Sequence, residues 1–349
     1  MSPRLPRHRR SRFLAVLAAA LALAAVAASC SSSSGSTGAG GKKLDRVTVI
    51  LDWTPNTNHS GLYIAQVEGW YRKAGLDVKI EQPGDNSPLQ LLAAGKADIA
   101  VSVEEDVTPA IAQGLPVQSV AAIIQHNTSS LVSLKSAGIQ KPGQLAGKTY
   151  GGYGGQLEKA LIRRFASCGG GDPDKVKFVN VGEADYRVGL TRKLYDVVWI
   201  FDGWDGIRLR QIDKLPVNTI EFADHRSCIP DWYTPLLATS TRMEKQRPDV
   251  LKRFMAATAH GYRTAMTDPA EAVSALMKSD PALDRNLVTK SAHYLASRYA
   301  SSPATWGQQD PKVWAKFTAF LRQNHILTKP IDLAHAFTNQ YLPPAPTGG

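Results

Sequence analysis

From residue 44 onward, short runs rich in β-branched residues alternate with stretches of helical spacing. VTVIL, LDVKI, ADIAVS and VQSVAAII read as strands, and the segments beginning near Ser60, Pro88 and Glu104 read as helices between them. Such alternation predicts a mostly parallel sheet covered by helices. A second set follows Lys141. There GKTYGGYGG leads into a helix over residues 157–165, and VKFVNV, DVVWIF and NTIEF follow as strands. From residue 243 to 324 the pattern turns helical, with Leu251, Phe254, Met255, Thr258 and Tyr262 on one periodic face and Pro269, Pro281, Pro303 and Pro311 as punctuation. The expectation is an α/β protein of two lobes joined by crossing segments near residues 129–134 and 235–240. Lobe 1 takes residues 44–131 and 238–343, including C-terminal helices that return to it, and lobe 2 takes residues 132–237.

The stretch LDWTPNTNHSGLYIAQVEGWYRKAGLDVKI, residues 51–80, concentrates polar and aromatic side chains at the joint between a strand and a helix. In open α/β sheets the carboxyl ends of the strands form the binding crevice, and the helix that follows points its free N–H groups there. Asn58 or Ser60 suits the cap of that helix, and Gly75 suits its stop.

Length and composition frame this reading. The 349 residues suffice for two domains of ordinary size. Residues 1–29 carry five arginines, no acid, and an apolar stretch over residues 13–28, which is the form of a cleaved export signal. The apolar stretch is short for a membrane-spanning helix, which needs ~20 residues. Ala27-Ala28-Ser29-Cys30 has the form of a bacterial lipobox, with Ala27 where Leu is commoner; the alternative is an ordinary cleavage site beside an incidental cysteine. The tract SSSSGSTGAGG, within a linker over residues 30–43, suits a flexible tether. The formal charge of +11 falls to +6 once residues 1–29 are removed, and no long basic run follows Lys43, so nucleic acid is not implied. Cys168 and Cys228 form either one disulfide or two separate thiols, and no CxxC pair points to zinc.

Several blocks resemble the substrate-binding lipoproteins of bacterial ABC importers, in the branch that binds pyrimidine precursors of thiamine such as formylaminopyrimidine and hydroxymethylpyrimidine. They are LDWTPNTNHSGLYIAQVEGWYRKAGLDV, GKADIAVSVEEDVTPAIAQGLPV, IIQHNTSSL, GKTYGGYGG, WIFDGWDGI and WYTPLLATS, in that order over residues 51–240. The block around residues 95–100 is similar to the wider taurine, nitrate and sulfonate binding relatives. The resemblance implies a two-lobed periplasmic-binding-protein type II fold with a helical C-terminal tail. It also implies an exported monomer, in the periplasm or held by lipid at Cys30 on the outer face of the cell membrane, that hands a small heterocycle to permease and ATPase subunits. A fungal thiamine-pyrimidine synthase of the same branch consumes its own histidine and bound pyridoxal phosphate. This chain lacks that enzyme's cysteine-rich motif and has no lysine near the first motif's histidine to hold a Schiff base. Capture and delivery are therefore expected rather than synthesis, with no catalytic residue, no cofactor and no metal. A ligand such as riboflavin or a sulfonate is the alternative within the binding role.

Candidate ligand contacts follow from residue chemistry. Asp52, Trp53, Asn56, His59 and Tyr63 offer an indole beside amide, imidazole and carboxylate groups, a set suited to a planar heterocycle; His59 alternatively braces its helix. Ser102, Glu104 and Glu105 end a strand and open a helix. A carboxylate there suits the N–H pair of an aminopyrimidine, with Glu104 favoured over Glu105 and Asp52 a competitor. Tyr153 and Gly154 sit in a glycine loop whose N–H groups suit a phosphate or formyl oxygen. Trp199, Asp202 and Trp204 end the strand DVVWIF; Asp202 and Trp204 are expected in the cleft, and Trp199 or Phe201 in the core. Trp232 and Tyr233 near the second crossing complete an aromatic clamp. Trp306 and Trp314 are expected to pack helices.

Overall fold

The computed structural model describes residues 43–84, 86–182 and 184–345. Among the described residues ten strands form two sheets: β1 (Asp45–Ile50), β2 (Leu76–Glu81), β3 (Ile99–Ser102), β4 (Val117–Ala122), β5 (Ser129–Leu134), β6 (Thr149–Gly152), β7 (Lys177–Asn180), β8 (Val197–Phe201), β9 (Val217–Glu221) and β10 (Leu236–Ser240). The orders are β2-β1-β3-β10-β4 and β7-β6-β8-β5-β9. In each sheet the first three strands are parallel. The fourth is a crossing strand, laid antiparallel between its neighbours. The sheets are thus mixed rather than mostly parallel, because the segments that pass between lobes are strands themselves and arrive from the opposite direction. The glycine stretch TYGG, read as a loop, is strand β6.

The first lobe's core joins Val47 and Val49 of β1, and Leu51 just after it, to Leu62 and Ile64, and to Leu251, Phe254 and Tyr262 of the long helix Pro248–Thr267. Helices Ser60–Val67 and Pro248–Thr267 cross at Gly61 and Gly261. A Cβ on Gly261 would sit 2.0 Å from the Gly61 carbonyl oxygen, and one on Gly61 would sit 2.3 Å from the Tyr262 ring. Only glycine permits that approach. Trp306 stacks on Tyr262 at 4.4 Å.

The C-terminal helices do not all return to the first lobe. Helices Pro248–Thr267, Pro269–Ser279 and Arg285–Ala296 pack there. Helix Pro311–Gln323 lies across both lobes. Its Trp314 joins Tyr233, Leu236 and Ala238, while Phe317, Phe320 and Leu321 join Phe165 and Trp232. Its apolar stripe is continuous and so has two partners to cover it. Cys168 and Cys228, 60 residues apart, are disulfide-bonded and tie the end of helix Gln156–Cys168 to the segment before β10. The expected export segment, Cys30 and all but the last residue of the expected linker lie outside the described residues. Among the described residues no helix is long and apolar enough to cross a membrane.

Trp314 is fully buried and stacks on Phe337 at 5.5 Å. Trp314→Ala is expected to lower the free energy of unfolding by about 3–5 kcal/mol, the usual range for a large aromatic removed from a core. Urea unfolding of the two proteins checks this.

Candidate functional site

Loops and helix starts at the carboxyl ends of β3, β6, β7 and β8 enclose a cavity of about 500 Å³. Val103, Glu105 and Asp106 contribute from the first lobe, and Tyr150, Tyr153, Glu158, Tyr186, Trp199 and Phe201 from the second. The walls are aromatic and the polar groups are carboxyls and phenols. No Lys, Arg or His lies among the described residues that line it.

Helix Glu104–Ala112 starts at the end of β3 and turns acidic side chains into its first turn. Glu105 is half-buried, and its Oε2 is enclosed without a hydrogen-bond partner. The Trp232 indole is nearby but outside hydrogen-bond geometry. Burial pushes the Glu105 carboxyl up to about 8, offset in part by its own backbone N–H and reinforced by the charge of Asp106. Burial also raises Asp106. The Trp199 indole N–H, on the opposite lobe, is likewise enclosed and unpartnered. Glu105 and Trp199 thus both line the cavity, and each carries a solvent-shielded polar atom without a hydrogen-bond partner, one a carboxyl oxygen and the other a donor.

The glycine loop has a different occupant from the one its composition suggests. Glu158 lies three residues beyond Gly155, the N-cap of helix Gln156–Cys168. Its Oε1 accepts from the Tyr153 N–H at 3.2 Å and the Tyr150 hydroxyl at 2.9 Å, and its Oε2 accepts from the Gly155 N–H at 3.1 Å. Gly154, at φ +80°, makes the turn and borders a neighbouring recess of about 190 Å³ rather than the main cavity.

A protein-family model described as NMT1/THI5 like matches residues 56–272. This chain is a member of the NMT1/THI5-like family. The match covers every strand of the second sheet and more than half of the chain. The formylaminopyrimidine-binding protein of Halalkalibacterium halodurans is 25% identical over 85% of this chain and 90% of its own length. The 4-amino-5-hydroxymethyl-2-methylpyrimidine phosphate synthase of Legionella pneumophila is 25% identical over 86% and 93%. The periplasmic aliphatic sulphonate binding protein of Escherichia coli matches with a TM-score of 0.66 at 14% identity, covering 87% of this chain and 94% of that one. The fold of this NMT1/THI5-like chain is thus that of the periplasmic binding proteins, with the α/β lobes and helical C-terminal region read from its sequence.

The residues proposed from sequence are dispersed. Tyr153 and Trp199 line the cavity. Trp53 is 53% exposed and lies outside the lining. Asn56 is buried; its Oδ1 accepts from the Asn58 N–H at 2.8 Å. His59 is sealed from solvent. Its Nε2 meets Asp52 Oδ1 at 2.7 Å and its Nδ1 accepts from the Asn56 N–H at 3.3 Å. That pattern puts the proton on Nε2 and makes His59 and Asp52 a brace for the loop. Tyr63 is core, with its hydroxyl pushed up to about 12 by burial and by Asp280. Ser102 is buried in β3, opposite Leu236.

Glu104 gives way to Glu105. It is fully buried outside the lining, with Oε2 accepting from the Tyr233 N–H at 2.9 Å. Tyr233 is buried against Trp314, and its hydroxyl accepts from the Asp310 N–H at 2.7 Å. At the end of β8 the assignment by alternation is reversed. Trp199 and Phe201 both line the cavity, whereas Asp202 is buried, paired with Arg210 at 2.8 Å and bonded by the Ser130 hydroxyl. Trp204 packs on the first lobe's core. The side chains of the lining that the sequence alone did not single out include Asp106, Tyr186 and Glu158; the place of Glu158 three residues after an N-cap glycine is a capping-box spacing.

The raised Glu105, Asp106 and Glu104 carboxyls hold protons more tightly in the folded chain than in the unfolded one, so stability falls as pH rises. For Glu105 the loss runs from about 4.5 to about 8. Thermal melts of the ligand-free protein are expected to show a midpoint that declines over this window. Glu105→Gln should flatten the decline, and an unchanged slope would contradict the burial assigned to Glu105.

Proposed function

We propose that this protein is the extracytoplasmic binding component of an ABC importer and captures an aminopyrimidine precursor of thiamine between its lobes. The observation that carries this reading is the aromatic cavity with its unpartnered Glu105 carboxyl and Trp199 indole N–H. A carboxyl suits an amidine-like edge, aromatic walls suit a flat ring, and an indole N–H suits a formyl or hydroxyl oxygen. Lobe 1 comprises residues 44–131 and 238–343 and lobe 2 residues 132–237. Closure is driven by the ligand's higher affinity for the closed form. In this reading residues 1–29 direct export, Cys30 carries a lipid anchor, and the monomer delivers its ligand to permease and ATPase subunits.

The competing reading, a pyrimidine synthase, is supported by the name of the Legionella relative. It gains least from His59, whose two ring nitrogens are both engaged inside the loop and which is absent from the cavity lining.

In a thermal-shift series, formylaminopyrimidine or 4-amino-5-hydroxymethyl-2-methylpyrimidine is expected to raise the melting temperature, a ligand at 100 times its Kd adding about 2.7 kcal/mol. The compound should be recovered unchanged after denaturation. A shift with riboflavin or an alkanesulfonate alone would move the ligand class, and stoichiometric loss of histidine mass with added pyridoxal phosphate and iron would favour the synthase. Phe201→Ala, at a 37% exposed position on the cavity wall, should weaken binding about tenfold while leaving the ligand-free melting temperature nearly unchanged.

A further inference from the structure

Two helix starts open on the cavity, and such starts are ready-made seats for an anion because their backbone N–H groups point outward at the positive end of the helix dipole. Here the chain fills both seats itself. At helix Gln156–Cys168, Glu158 takes the N–H groups of Tyr153 and Gly155, the two donors of the glycine loop nearest the cavity. At helix Glu104–Ala112, the Glu104 N–H goes to the Tyr233 carbonyl at 2.9 Å, and the Asp106 N–H goes to the Val103 carbonyl at 3.1 Å. Glu158 borders the cavity beside Glu105 and Asp106, whose carboxyls burial biases toward the neutral form, and no Lys, Arg or His among the described lining residues offers an anion a counter-charge.

We propose that Glu158 is a specificity residue that excludes anionic ligands, so that the cavity accepts an uncharged aminopyrimidine alcohol or amide and rejects its phosphate ester and sulfonates. This deepens the aminopyrimidine reading and rests on it for the identity of the ring. The physical basis is subtraction as well as repulsion. A phosphate reaching the loop finds the N–H donors already bonded and an acceptor-only carboxylate in their place, a mismatch that discriminates against the wrong ligand without adding affinity for the right one. The shape of the site supports the same division. Glycines at 151, 152 and 155 bring backbone close to the cavity, as in phosphate-binding loops, yet a glutamate completes the cradle.

The test is calorimetric titration of the intact protein with three probes: 4-amino-5-hydroxymethyl-2-methylpyrimidine, its monophosphate, and inorganic phosphate. The wild type is expected to bind the alcohol at least about 100-fold more tightly than the monophosphate, the scale of one like-charge contact in a partly screened site, and to show no heat with inorganic phosphate. Glu158→Gln should improve the affinity for the monophosphate relative to the alcohol about tenfold or more, since one charge is removed and the side-chain shape is kept. Glu158→Ala, which frees the Tyr153 and Gly155 N–H groups, should gain inorganic phosphate binding, with circular dichroism verifying the fold. Equal affinity of the wild type for alcohol and monophosphate would overturn the proposal, as would a ratio unchanged in Glu158→Gln. If neither pyrimidine binds the wild type, the aminopyrimidine reading fails. The gain or absence of inorganic phosphate binding in Glu158→Ala then still decides for or against the exclusion.

Discussion

A reciprocal pair of hydrogen bonds between Glu104 and Tyr233 fixes the part of the molecule on which the cleft depends. The Glu104 N–H donates to the Tyr233 carbonyl at 2.9 Å, and the Tyr233 N–H donates to the Glu104 carboxyl at 2.9 Å. The first turn of the helix that ends β3 is thereby locked to the segment returning from the second lobe. The lock buries a carboxyl whose other oxygen has no partner, and burial pushes its pKa well above the usual range. A buried carboxyl of this kind is tolerable when it is protonated or held by well-directed donors. Asp231 ties the other crossing in the same way: its Oδ1 accepts from the N–H groups of Asn127 at 3.0 Å and Trp232 at 3.1 Å, and its Oδ2 meets His126 at 2.6 Å.

With the crossings fixed, the geometry of the cavity follows. Val103, Glu105 and Asp106 are held opposite the aromatic ends of β6 and β8, and the helix Pro311–Gln323 lies behind the crossing with apolar residues in both lobes. A third contact joins the lobes away from the cavity: the Ser291 hydroxyl donates to the Gly203 carbonyl and meets the Thr57 hydroxyl, and Leu295 packs on Gly203. Polar side chains that look ready for a ligand are absorbed by this framework. Asp202 serves Arg210 and Ser130, and His59 serves Asp52 and Asn56. Among the described residues that line the cavity, the uncommitted groups are the Trp199 indole N–H, Glu105 Oε2 and the aromatic faces around them.

The fold was largely legible because it rests on local periodicity. The strands of both lobes and the helices starting at Ser60, Pro88 and Glu104 follow from spacing that no tertiary contact needed to override. Strand β6 was missed because Gly151 and Gly152 weaken every strand signal; a Cβ at Gly151 would lie 2.6 Å from the Tyr195 ring, so close packing outranks propensity there. The antiparallel entry of β5 and β10 was invisible because strand direction is set by the path of the chain between lobes. The site was read less well for one reason. Residue chemistry says what a side chain is able to bind but not which partner reaches it first: Glu104 met Tyr233, the loop N–H groups met Glu158, and Asp202 met Arg210, while Trp199 and Phe201, two apart on one strand, both line the cavity.

The most direct test of this account is a crystal structure of the protein with 4-amino-5-hydroxymethyl-2-methylpyrimidine. The ring is expected between Trp199 and the start of helix Glu104–Ala112, with Glu105 Oε2 within hydrogen-bond distance of the amidine edge, the Trp199 indole N–H donating to the ligand, and Glu158 still bonded to Tyr153 and Gly155. A ring seated instead against Trp53 and His59, with the Asp52–His59 pair broken, would contradict it.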